Sequence, residues 1–164
     1  MIISILIPCF NEKDTIEEIV NRIKSLKDLN TEIIIIDDNS QDGTAEILKD
    51  RVQGQVCKII YNDANYGKGY SLRKGIEIAK GEIIIIQDAD LEYDPKEYYK
   101  LIRPIIDGHA DVVYGSRFIG GDERRILFFW HTVANKLLTL LSNMFTILNL
   151  TDMETCYKVF RKEI

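Results

Sequence analysis

The sequence predicts an α/β fold with a mostly parallel central sheet flanked by helices. Three observations lead there. Five short apolar runs, Ile2 to Pro8, Glu32 to Asp38, Val56 to Tyr61, Glu82 to Asp88 and Ala110 to Gly115, are rich in Ile and Val and of strand length. Segments with helical spacing separate them, such as Ile16, Ile19, Val20 and Ile23 after the first run and Tyr98, Leu101, Ile102 and Ile105 after the fourth. The runs are continuous rather than alternating, as strands buried on both faces are, and β-α-β-α order with such strands implies parallel pairing. With 164 residues and 46% hydrophobic content, the chain can bury roughly 70% of its unfolded surface, which suits a single domain over 1–164.

Taken in order, the first run ends in Pro8-Cys9-Phe10-Asn11-Glu12, and Asp14 with Glu17 reads as a capping box for the helix that follows. The second run ends in Asp37-Asp38-Asn39-Ser40, where an acidic side chain can accept hydrogen bonds from a nucleobase or a ribose hydroxyl. Capping by Ser40 or Asp42 of a helix starting near Thr44 is the alternative, though two consecutive aspartates exceed what a cap needs. After the third run, Asn65-Tyr66-Gly67-Lys68-Gly69 offers close backbone approach, a helix N-terminus and a cation, which together suit a diphosphate. A glycine turn opening a surface helix, with Lys68 solvated, is the competing reading. A dinucleotide fingerprint does not fit, because Leu72 stands where its third glycine belongs and the motif would follow the first strand.

The fourth run leads into Asp88-Ala89-Asp90. Alternate positions of an extended segment point the same way, so both carboxylates face one ligand if the strand continues through Asp90. Two carboxylates completed by a phosphate suit magnesium, whereas acidic residues that only solvate a strand end would bind nothing. Asp94, Pro95 and Glu97 then supply a cap, a first-turn proline and a box acid. The fifth run ends in Gly115-Ser116-Arg117, where the guanidinium either meets a phosphate or pairs with a neighbouring acid. Ligands of open α/β sheets bind outside the carboxyl ends of the strands, so these clusters are expected along one edge.

Residues 124–150 are the most lipophilic stretch, but His131, Asn135, Lys136, Ser142 and Asn143 interrupt it, leaving no run of about 20 apolar residues to cross a bilayer. An amphipathic helix is expected, its apolar stripe read first as core. Peripheral membrane contact is the alternative, since Phe, Trp and Leu lie among Arg124, Arg125 and Lys136. His109 reads as a loop residue and His131 as a packed or interfacial one. The net charge of -5 gives no overall attraction to nucleic acid. Cys9, Cys57 and Cys156 are three, far apart and without CxxC spacing, which points away from disulfides and zinc and towards a reducing cytosol. The opening run lacks the basic stretch and cleavage pattern of a signal peptide, so the expected location is cytoplasmic, peripheral at the cytoplasmic membrane face if the helix meets lipid.

Read together, these residues resemble glycosyltransferase family 2, and most closely its dolichyl- or polyprenyl-phosphate sugar synthase branch. The resemblance rests on collinear motifs: Ile7-Pro8-Cys9-Phe10-Asn11-Glu12, Ile36-Asp37-Asp38-Asn39-Ser40-Gln41-Asp42-Gly43-Thr44, Asp88-Ala89-Asp90-Leu91, Gly115-Ser116-Arg117-Phe118 and Thr151-Asp152-Met153-Glu154-Thr155-Cys156-Tyr157-Lys158-Val159-Phe160-Arg161. It implies a GT-A, Rossmann-like fold with a nucleotide-sugar-binding part over 1–118 and an amphipathic helix plus acceptor motif over 119–164. It also implies transfer with inversion from a nucleotide-diphospho-sugar, UDP before GDP, to a polyprenyl-phosphate acceptor. By the same resemblance Pro8, Phe10, Asn11, Glu12, Asp37, Asp38, Asn65, Gly67 and Lys68 bind the nucleotide. Asp88, Asp90 and Glu92 hold Mg2+ or Mn2+, Arg117 steadies a phosphate, and Asp152 is the acceptor-side acid.

A lipid phosphate already carries its oxyanion, so no enzyme base is needed; a sugar hydroxyl acceptor, the runner-up, would need one, with Asp152 the candidate. A silent nucleotide-sugar binding module is the reading from another class. A nucleotidyltransferase would place a Gly-rich loop after the first strand, where none occurs. Two departures stand out: the branch's arginine at the start of the amphipathic helix is represented by Arg124 and Arg125 slightly earlier and by His131 within it, and relatives continue past the equivalent of Ile164. The latter implies a shortened C-terminal part, with the acceptor face completed by a partner subunit or a second copy.

Overall fold

The computed structural model describes residues 1–116 and 129–164, with Phe129 and His131 described by backbone alone. Arg117, Phe118, Arg124, Arg125 and the side chain of His131 therefore lie outside the described residues. Six strands form one sheet in the order β3-β2-β1-β4-β6-β5, where β1 is Ile3–Cys9, β2 Thr31–Asp37, β3 Lys58–Tyr61, β4 Ile83–Ile86, β5 Val112–Tyr114 and β6 Lys158–Arg161. β1 lies parallel to β2, with Cys9 opposite Asp37, and parallel to β4, with Ile3 opposite Ile83. β3 continues the parallel half beyond β2.

Each of the five apolar runs forms a strand, so the mostly parallel sheet is as expected. β6 is the addition. It inserts antiparallel between β4 and β5, pairing Ile85 with Val159 on one side and Val113 with Val159 on the other. Four residues long and with Val159 alone fully buried, it carries too little apolar signal to separate from its motif. The fourth strand is also shorter than expected: it ends at Ile86, so extended geometry does not run through Asp90.

The isoleucine runs are continuous because they feed two cores. Ile5, Ile7, Ile33, Ile35 and Ile85 meet Ile16, Ile19 and Ile23 of α1 (Ile16–Lys24) and Tyr98, Ile102 and Ile105 of α4 (Tyr98–Ile106). On the other face Leu6, Ile34, Ile36 and Ile84 pack with Leu72 and Ile76 of α3 (Lys68–Ile78), brought close by Gly75, where an added Cβ would sit 2.9 Å from Ile36 Cδ1. α2 is a single turn, Thr44–Ile47, which widens into a π turn over Leu48–Val52.

Of the two capped helix starts read from the sequence, one forms and one does not. Asp94 caps the turn before α4, its carboxylate accepting from Lys96 N at 3.0 Å with Pro95 in the first turn. The Asp14/Glu17 box does not form: Thr15 occupies the cap position of α1, and its hydroxyl donates at 2.6 Å to the carboxylate of Glu12 instead.

α5 (Phe129–Thr146) corrects a further expectation. Its buried face is polar, with Asn135 at 2% and Thr139 at 5% exposure, while Trp130, Leu137, Leu140, Met144 and Phe145 are all exposed. The apolar stripe expected in the core faces outward, because the inward positions hold the hydrogen bonds that fasten residues 150–154: Asn135 and Thr139 contact Asp152, Glu154 and Met153, and Asn143 exchanges bonds with Leu150. Among the described residues no helix is long and apolar enough to cross a membrane.

Candidate active site

A cleft of about 240 Å³ opens at the carboxyl ends of β1, β2 and β4. Pro8, Phe10 and Glu12 line it from the end of β1, Asp38 from β2, Lys68 and Ser71 from the first turn of α3, and Asp88 and Asp90 from the turn after β4. The ends of three parallel strands and the first turn of α3 bring four sequence clusters to one edge, as the fold class demands.

Asp88 and Asp90 share the cleft although β4 has already ended, and Leu91, at φ +62°, follows them. Lys68 Nζ reaches Asp88 Oδ1 at 2.5 Å. Burial works against the Lys68 ammonium, but the bond to Asp88 and its charge outweigh it, so the lysine is held above its ordinary value. Asp90 accepts from Glu92 N at 3.0 Å. Although its side chain reaches solvent, lost hydration in the cleft and then the charges of Glu92 and Asp88 raise its carboxyl above the usual range. Such surplus negative charge is what a divalent cation neutralises, and two carboxylates completed by diphosphate oxygens match the hard-oxygen set of Mg2+ or Mn2+. The donor set therefore fits such a metal. Glu92 is exposed and does not line the cleft, and among the described residues no three acidic, His or Cys side chains converge as a ready-made cage.

Other residues expected at the nucleotide also staple the loops around the cleft. Asp37 is 2% exposed; its carboxylate accepts from Ser40 Oγ at 2.5 Å, and burial raises it against that bond. Asn11 sits at φ +57°, with its backbone N–H donating to Ser40 Oγ and its Oδ1 accepting from Gln41 N. Asp42, rather than Ser40, holds Thr44 through both backbone and hydroxyl. Thr44 in turn accepts from Glu12 N at 2.8 Å, fixing the Glu12 end of the cleft. Asp37, Asn11, Asn65 and Gly67 do not line the cleft, and Asn65 is exposed.

Asp38 does line it. Burial acts to raise its carboxyl, but hydrogen bonds from Asn62, Tyr66 N and Gly67 N outweigh that and hold it below the ordinary value. Gly67 has φ +87°, a conformation glycine adopts without strain, and so turns its amide onto Asp38 as α3 begins.

Beneath Asp88 lies a layer in which Gln87, which no motif singled out, meets Cys156 and Tyr157 of the last motif. Buried Gln87 accepts from Tyr98 OH at 2.7 Å and Tyr157 OH at 3.0 Å, and its amide donates to Asp88 O. Cys156 Sγ accepts from Asp88 N at 3.2 Å, and burial pushes that thiol far up. A polar Gln directly after four isoleucines was the available signal. Asp152 is 1% exposed, accepts from Asn135 Nδ2 at 2.9 Å and does not line the cleft. Arg117 lies outside the described residues.

Comparison with known proteins agrees with this architecture. The model of a family described as glycosyl transferase family 2 matches residues 4–164. The dolichol-phosphate mannosyltransferase of Pyrococcus furiosus is 29% identical over 167 residues, covering 100% of this chain and 47% of that protein. An undecaprenyl-phosphate 4-deoxy-4-formamido-L-arabinose transferase of Aeromonas hydrophila is 29% identical over 99% of this chain and 50% of its own length. The chain thus spans about half the length of these curated relatives. Among solved structures, glucosyl-3-phosphoglycerate synthase of Mycobacterium tuberculosis, in complex with Mn2+, UDP and phosphoglyceric acid, superposes with a TM-score of 0.73 at 22% identity, covering 98% of this chain and 56% of the other. That likeness shows the fold, GT-A-like as expected.

Proposed function

The chain belongs to glycosyl transferase family 2, and from that premise we propose that it transfers a sugar, with inversion, from a nucleotide-diphospho-sugar to a polyprenyl phosphate. The observation that carries this reading is the meeting of Asp38, Lys68, Asp88 and Asp90 in one cleft at the carboxyl edge of the sheet. Phe10, 44% exposed, offers a ring on which a base can stack, and Lys68, at the N-terminus of α3, lines the cleft where a diphosphate would lie.

Asp88 and Asp90 would hold Mg2+ or Mn2+, which when bound supplies Lewis-acid stabilisation of the departing nucleoside diphosphate. Lys68 adds positive charge on the same side. Gln87 and Cys156 hold the Asp88 backbone so that its carboxylate keeps one orientation. A phosphate acceptor brings its own nucleophilic oxygen, so no side chain has to remove a proton. Asp152, buried and bonded to Asn135, then positions the acceptor-side segment rather than acting as a base. The named relatives with lipid-phosphate acceptors favour that acceptor class. The outward apolar face of α5 is assigned to the membrane surface from which such an acceptor would be taken.

The test has two arms. Calorimetry with UDP, GDP, UDP-glucose and GDP-mannose in Mn2+ should show metal-dependent binding of one nucleotide, abolished by chelation and weakened at least about 100-fold in Asp90→Ala, the loss of roughly 3 kcal/mol that removing a charge-assisted contact produces. Labelled donor should then transfer to polyprenyl phosphate; product on a hydroxyl acceptor alone sinks the lipid-phosphate assignment.

A further inference from the structure

Asn62 lies immediately after β3 and behind the cleft wall, 5% exposed. Its backbone N–H donates to Asp37 O at 2.8 Å, which extends the β2–β3 pairing by one step and sets the side chain against Asp38. Every polar position of the amide is used. Nδ2 donates to Asp38 Oδ1 at 2.7 Å and to Ser71 Oγ at 3.1 Å, while Oδ1 accepts from Lys74 Nζ at 3.0 Å. Lys74 itself rests over the ring of Tyr70, 4.9 Å from its centroid. A cation on the carbonyl side and a carboxylate on the amino side leave one orientation of the amide, so the flip is decided by charge.

Asp38 and Ser71 both line the cleft, one from the end of β2 and one from the first turn of α3. Asp38 also gathers Tyr66 N and Gly67 N, the turn that delivers Lys68 to Asp88. We propose that Asn62 is a positioning residue for the nucleotide: its amide ties Asp38 to Ser71 and so sets the turn that carries Lys68. Lys74 orients it from behind. This rests on the donor-site reading above, and deepens it by naming a group that acts on the nucleotide through Asp38 and Ser71 without itself lining the cleft.

The physical consequence is a graded one. Asn62→Asp keeps the shape but replaces a donor by an acceptor against Asp38, turning attraction into like-charge repulsion. Asn62→Ser retains one donor with a shorter reach. Lys74→Met keeps length and removes the cation that orients the amide, at a position where the side chain is only partly buried.

The experiment is calorimetric titration of the full chain with UDP and GDP in Mn2+, alongside thermal unfolding of each variant. The expected result is affinity lowered about 30-fold or more in Asn62→Asp, and by several-fold in both Asn62→Ser and Lys74→Met. The melting temperature of Lys74→Met should stay near wild type, which a role in stability alone would not give, whereas Asn62→Ser, which shortens a buried donor, should lose some stability and remain folded. Wild type that binds, with folded Lys74→Met and Asn62→Ser binding within twofold of it, overturns the proposal alone. Wild type that binds neither nucleotide overturns the donor-site reading, and this proposal with it.

Discussion

The carboxyl of Asp90 is held above its ordinary value by lost hydration and by the charges of Glu92 and Asp88. A carboxyl raised on folding is harder to ionise in the native state than in the unfolded chain, so its ionisation works against folding. Below the unfolded value, about 3.9, both states are protonated and the penalty vanishes. It develops as pH rises from there through the raised native value, and is complete at neutral pH. Asp90→Asn should therefore melt above wild type at pH 7, with the difference closing towards pH 3, even as metal-dependent nucleotide binding is lost. Thermal scans across that range check it; a variant less stable than wild type at pH 7 contradicts the electrostatic account. The same residue scale shows what sequence could and could not say. The meeting of Asp88 and Asp90 in one cleft was legible because they follow an isoleucine run that reads as a buried strand, whose carboxyl end lies at the ligand edge of such a sheet. What the sequence did not show is that Asp37 and Asn11 also staple their loops, since Asx side chains serve ligands and loops alike and the bonds to Ser40 and Gln41 appear only once the chain is folded. Asn62 gave no signal at all, since its partners come from β2 and α3, brought together by folding alone.

At the scale of the element, α5 inverts the usual rule for a surface helix. Its helical period was readable from the sequence, but the period does not say which stripe faces in. Asn135, Thr139 and Asn143, spaced at i and i+4, lie inward because residues 150–154 present polar groups there. The two faces should respond oppositely to mutation. Asn135→Ala leaves Asp152, 1% exposed, short of a donor and should cost about 1–3 kcal/mol in urea unfolding. Leu141→Glu with Phe145→Glu, at residues 41% and 85% exposed, should change stability by no more than about 0.5 kcal/mol each. The same pair should markedly reduce co-sedimentation with anionic lipid vesicles. Unaltered vesicle binding in a folded double variant would remove α5 from the membrane contact.

Across the whole molecule the sheet has two halves with different origins. The parallel half, β3-β2-β1-β4, carries the cleft and was foreseeable from the repetition of apolar run and helix. Of the antiparallel half only the β5 run was readable, because β6 arrives from the last stretch of the chain and separates β5 from β4. That insertion joins the halves chemically as well as by backbone pairing. Tyr157 bonds to Gln87, and Cys156 accepts from Asp88 N just before β6 begins. Lys162 N also donates to Glu82 O, closing the start of β4. A chain ending at Tyr157 would lose Val159 from the core and leave β5 with no strand neighbour in the sheet. Its effect should therefore reach the far half: the layer beneath Asp88 loosens once Cys156 and Tyr157 lose the strand that anchors them. Such a chain is expected to unfold with a lower urea midpoint and to lose metal-dependent nucleotide binding, although every cleft-lining residue is still present. Hydrogen exchange should show loss of protection in β4 and β5 first, with β1 and β2 the last to open. Full nucleotide affinity in the shortened chain would mean that the metal-side loop holds its shape without β6, and that the two halves are energetically separate.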